Sequence, residues 1–140
     1  MREILFKAKQ IDNGEWIEGS LIDLDIDSGY CYIVQPYKKA SILPIIFLIT
    51  DRMKLVDPET LCQFTGLCDK NGNKIWENDI LRLDDGTVLK VSWHHFKASW
   101  VISKKGWLYN HFFGEAVEPE DIEAIGNIYD NPELLQEERK

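Results

Sequence analysis

Short apolar runs separated by polar turns recur along the whole chain, and their spacing is that of strands. EILFKAK, residues 3–9, opens the pattern, and Asp12, Asn13 and Gly14 interrupt it. Asn and Gly tolerate the positive φ of a tight turn, so WIEGSLIDL, residues 16–24, is expected to return as a second strand. Its alternation puts Trp16 and Glu18 on one face, and Ile17 and Gly19 on the other. Asp27, Ser28 and Gly29 mark the next turn, before the strand-like YCYIV at 30–34. IIFLI, residues 45–49, reads as a buried strand or a short buried helix, which periodicity does not separate. MKLV, 53–56, is strand-like, and Asp57 can cap a helical turn that has Pro58 at its first position.

The second half is more regular. QFTGL leads into the polar stretch 69–74, where Asn71 and Gly72 centre a turn and Ile75 and Trp76 return to the core. Asn78 and Asp79 make a second bend into ILRL, 80–83. Asp85-Gly86 between ILRL and TVLKVSW is a strong hairpin signal. SWVIS, Lys104-Lys105-Gly106 and WLYNHFF give a further hairpin. IEAIGNIY, 122–129, closes the sequence of strands, with helical turns expected at Pro119 and after Asn131. Many short strands with frequent turns predict a mainly β fold, with a β-rich α+β fold as the alternative. The expected division is a less regular β-rich subdomain at 1–60 packed on a small β-barrel at 61–130, then a turn and tail at 131–140.

Composition narrows the function classes. At 140 residues and 44% hydrophobic, the chain can bury a core without staples. Its net charge of −8 opposes general binding to phosphate backbones. Three cysteines, Cys31, Cys62 and Cys68, with a charged N-terminus unlike a signal peptide, fit free thiols in a reducing compartment. The longest apolar stretch, SILPIIFLIT, is about half a membrane span and contains Pro44, so it is read as core.

No constellation of residues carries a reaction. Asp69, Asn71 and Asn73 start like a calcium loop, but the glycine falls at the fourth position and Ile80 stands at the twelfth. Asp23, Asp25 and Asp27 fail the same template and read as a solvated strand face. The cysteines and His94, His95 and His111 lack zinc-ligand spacing. No catalytic residue, metal ligand or cofactor is therefore assigned. The candidate interaction surface is Trp93, His95, Lys97, Trp100, Lys104, Lys105 and Trp107, which combine aromatic faces with positive charge. Against that reading, the tryptophans fit a core or sheet edge, and the lysines fit a turn.

VDPETLCQFTGLCDKNGNKIWENDI resembles the signature of the YopX family of phage and prophage proteins. IEAIGNIYDNPELL resembles the family's closing motif, and REILFKAKQIDNGEWIEGSLI its opening segment. Asn78 departs from a position where the family tends to have glycine, and Cys62 and Cys68 are atypical there. The resemblance implies an origin in phages or integrated prophages, mostly of Gram-positive bacteria. It implies a C-terminal half like a Src-homology 3 barrel, and homo-oligomers with a trimer as one candidate state. It supplies no activity and no catalytic residues. The expected function is thus a non-catalytic module for protein contact or self-assembly in the host bacterial cytoplasm, with no membrane partner. One alternative is a small barrel binding nucleic acid through residues 93–107, disfavoured by charge, and another is an unrecognised hydrolase.

Overall fold

A computed structural model describes residues 2–25, 29–35, 52–104, 111–113 and 117–135. The chain is mainly β, in antiparallel sheets, and divides into two compact units, Met1–Gln63 and Phe64–Lys140. The apolar run at 45–49, the turn at 26–28 and the 105–110 segment lie outside the described residues.

In the first unit, β1 (Phe6–Lys9), β2 (Trp16–Asp25), β3 (Tyr30–Val34) and β4 (Met53–Val56) pair in sequence order. The alternation in β2 is as the pattern predicts. Ile17 is buried opposite Ala8, while Trp16 lies opposite Lys9 on the other face. There the ammonium groups of Lys7 and Lys9 stand 4.6 and 5.5 Å from the Trp16 ring centroid. Ala8, Ile17, Cys31, Ile33 and Val56 form the core, and burying each large aliphatic side chain contributes roughly 1.5–3 kcal/mol. The Gln10–Val56 bridge ties β4 back to the end of β1. The register slips between Asp23 and Asp25, so the alternation expected to align these acids breaks there. Asp57 accepts from Glu59 N at 3.0 Å and caps a single 3-10 turn, Pro58–Thr60.

β5 (Cys62–Cys68) begins beside β1 and continues in the second unit, where it pairs with β6 (Lys74–Trp76). The sequence pattern did not single out β5, because Thr65 and Gly66 break its apolar alternation. β7 (Asp79–Leu83), β8 (Val88–His94), β9 (Ser99–Ser103), β10 (His111–Phe112) and β11 (Ile122–Asn127) make a five-stranded antiparallel sheet in the order β10-β9-β8-β7-β11. That order is open among the described residues. Ile75, Leu81, Leu89, Val91, Ile102 and Ile122 centre its core. β11 ends at Asn127, two residues before its apolar pattern does, and short 3-10 turns occupy Pro119–Asp121 and Pro132–Leu135.

Candidate functional site

The polar stretch at 69–74 is the first place to look for chemistry, and its geometry is structural. Gly72, at φ 82°, lets the chain reverse, with Gly72 N donating to Asp69 O. Asp69 is buried. Its Oδ1 accepts from Asn71 N and Asn73 N, both at 2.9 Å, and its Oδ2 accepts from Ala124 N at 2.9 Å and from Asn73 Nδ2. Burial alone would raise the carboxyl pKa. The donors of Ala124, Asn73 and Asn71 outweigh it and hold the carboxyl below its ordinary value. A carboxylate committed to four N–H donors is a lock between this loop and β11, rather than a cation ligand or a general base.

The second bend works the same way. Asp79 Oδ2 accepts from Trp76 N at 2.8 Å, and Asn78 takes φ 67°, the left-handed conformation its polar side chain tolerates. Asn78 O accepts from Ile128 N, and Asn78 Nδ2 donates to Tyr129 Oη at 3.1 Å. On the β11 side, Asn127 Oδ1 accepts from Tyr129 N and Asp130 N. Asn131 Oδ1 accepts from Asn127 N, and a Cβ on Gly126 would collide with that amide. The central and closing signature stretches of the sequence therefore meet as one hydrogen-bonded knot between the 69–79 turns and β11 with the turn after it.

The Cys31 thiol is not set up as a nucleophile. Cys31 and Cys62 are buried and Cys68 is exposed, and none of the three is in a disulfide. Burial, then the negative charges of Asp23 and Asp57, pushes the Cys31 thiol up, away from a reactive thiolate.

The aromatic and basic residues lie elsewhere, on the β8–β9 hairpin. Trp93 and Trp100 are cross-strand partners on the face that carries Val91 and Ile102. Their rings meet edge-on, 4.9 Å between centroids at 67°. Trp100 packs against the core, whereas Trp93 stays 45% exposed. The turn that follows presents His95, Phe96 and Lys97, and Ala98 closes it at φ 48°. Phe96 is 86% exposed, with its ring 4.2 Å from that of His95. Lys97 places its ammonium 5.0 Å from the Phe112 ring centroid.

Four residues of the sequence-derived surface, Trp93, His95, Lys97 and Trp100, thus gather at one end of this hairpin. Lys104 does not. It follows the far end of β9, four residues from Trp100, or roughly 13 Å along a strand. Its charge there helps lower the carboxyl pKa of Asp85, after the dominant hydrogen bonds from Thr87. Lys105 and Trp107 lie outside the described residues. Phe96 escaped the sequence reading, although an apolar ring between His95 and Lys97 in a turn was a usable signal.

The family model described as YopX protein matches residues 5–136. A crystal structure of protein EF1440 from Enterococcus faecalis superposes with a TM-score of 0.52 at 20% identity, covering 96% of this chain and 99% of that one. That likeness is one of fold. No curated protein matches the chain. No helix among the described residues is long and apolar enough to cross a membrane.

Proposed function

The chain belongs to the YopX family, and from that premise we propose that it is a non-catalytic protein-contact module of phage or prophage origin. It acts in the host cytoplasm through the exposed end of the β8–β9 hairpin. The observation that carries this reading is the pair Trp93 and Phe96, 45% and 86% exposed, at the end of an ordered hairpin. Large aromatics in that position offer contact area at small entropic cost and are typical anchors of protein interfaces. The signature residues support it from the other side. Asp69, Asn78 and Asn127 are occupied in holding the second unit together, so they build a scaffold for the hairpin. We read that scaffold, residues 61–130, as a small barrel of Src-homology 3 type, supported by its antiparallel meander.

The experiment compares wild type with the double variant Trp93→Ala, Phe96→Ser as bait in extracts of the host. A partner retained by wild type and lost by the variant, with both proteins giving the same circular-dichroism melt, supports the reading. Equal retention by both removes it. The same aromatic and lysine composition favours one second reading, single-stranded nucleic acid stacked on Trp93 and Phe96. Polarisation titrations with short single-stranded oligonucleotides at low salt separate the two. Binding that Trp93→Ala abolishes would establish nucleic acid as the ligand.

A further inference from the structure

Among the described residues, the two units run through the same series of strands. In the first, β1 pairs with β2, β2 with β3 and β3 with β4; the 3-10 turn Pro58–Thr60 follows, and β5 returns to the other side of β1. In the second, β7 pairs with β8, β8 with β9 and β9 with β10; the 3-10 turn Pro119–Asp121 follows, and β11 returns to the other side of β7. Antiparallel meanders are common, because strands that follow one another tend to pair. Register is a stricter comparison.

Phe6 stands between Gly19 and Gln63, as Leu81 stands between Leu89 and Ala124. One residue on, Lys7 stands between Glu18 and Cys62, as Arg82 stands between Val88 and Glu123. Two residues beyond Gly19 and Leu89, the ladder reads Leu21–Ile33–Lys54 in the first unit and Val91–Ile102–His111 in the second. Ile33 and Ile102 are both wholly buried. A slip of one residue in a strand turns its side chains to the opposite face, so agreement in every one of these ladders is a demanding match.

The crossings into the last strands share their sequence as well. VDPETL, residues 56–61, and VEPEDI, residues 117–122, agree at Val, Pro and Glu and both have an acid in second place. Val56 and Val117 are buried. Asp57 O accepts from Thr60 N at 3.1 Å, and Glu118 O from Asp121 N at 3.0 Å. Pro58 O and Pro119 O accept from Leu61 N and Ile122 N. Proline at the first position suits such a turn. The turn makes no demand for valine ahead of it or glutamate after the proline, so the shared spelling exceeds what the geometry requires.

We propose that the chain is an internal duplication, in which residues 6–63 and 81–124 are two copies of one five-strand module. The copies have diverged at the hairpin end. Where the second has the cross-strand pair Trp93 and Trp100, the equivalent pair in the first is Asp23 and Cys31. The aromatic contact end is thus a property of the second copy alone. This last step rests on the contact reading of that end, whereas the duplication does not.

The duplication is tested first on sequences. A profile of the chain's relatives over 6–63 is aligned with one over 81–124. The best alignment is expected to set Val56 on Val117 and Pro58 on Pro119, and to score above every alignment of column-shuffled profiles. A best score within the shuffled range, or a different register, overturns the proposal. The second test exchanges the crossings in the full chain. One variant carries Asp57→Glu, Thr60→Asp and Leu61→Ile, and the other carries Glu118→Asp, Asp121→Thr and Ile122→Leu. Both are expected to keep the wild-type circular-dichroism spectrum and to melt within about 5 °C of wild type. Should the change of shape at Leu61 or Ile122 alone unfold a variant, the exchange is repeated without it. Loss of the cooperative melt in both repeated variants overturns the equivalence of the crossings. If the duplication holds while Trp93→Ala, Phe96→Ser keeps its partner, only the contact reading and the division between copies fail. If the exchanges unfold while that variant loses its partner, the duplication fails and the contact reading stands.

Discussion

Asp69 shows how a single carboxylate can look like a site and serve as a joint. Its spacing with Asn71 and Asn73 was legible in the sequence, and so was the turn at Gly72. Its fourth donor was not, because Ala124 N lies 55 positions away and only the β7–β11 register brings it near. The consequence is a pH dependence of known sign. The folded carboxyl has a lower pKa than the unfolded one, so its stabilisation is complete above the unfolded value, 3.8, and is lost as pH falls through the folded value. Asp69→Asn is therefore expected to lower the urea midpoint at neutral pH, by about 1.5–3 kcal/mol in stability. It should also flatten the loss of stability below about pH 4, and parallel urea titrations at neutral and acid pH check both. At Asn78 the left-handed backbone and the Tyr129 bond combine. Asn78→Ala should cost about 1–2 kcal/mol from backbone strain alone, and Asn78→Gly should cost less in the same melts.

At the scale of elements, the strands whose apolar pattern alternates cleanly were readable, and β2, β3, β7, β8 and β9 fall where the pattern places them. β5 was not, since Thr65 turns its hydroxyl to Ile75 O and Gly66 sits at φ 90°, so its pairing is decided by partners rather than by its own sequence. The β8–β9 hairpin makes the division between fold and surface testable. Trp100 packs on the core while its partner Trp93 stands half in water. Trp100→Ala is expected to lose about 3–5 kcal/mol of stability. Trp93→Ala should lose about 1 kcal/mol, mostly the edge-on ring contact, and thermal melts of the two variants give the comparison. A Trp93→Ala loss as large as that of Trp100→Ala would mean that Trp93 belongs to the fold. At the end of β11, Gly126→Ala should cost about 1–3 kcal/mol, because Asn131 must leave its place to admit a methyl group.

Across the whole molecule, the net charge of −8 conceals a separation into acidic and basic stretches. That separation was present in the sequence, but the average pointed away from it. Which residues of the basic stretch share a surface was not legible, because Lys97 and Lys104 are separated by the length of β9, a matter of register rather than composition. The structure leaves exposed aromatic surface at the end of a well-braced hairpin, and the account assigns that surface to protein contact. The most direct measurement places a photo-crosslinking p-benzoylphenylalanine at position 96 and illuminates the protein in extracts of the host. The proposed function predicts a protein cross-linked at residue 96 and not captured when the same group stands at the exposed position 18. Equal capture from both positions, a cross-link to oligonucleotide alone, or no cross-linked protein at position 96 would contradict it.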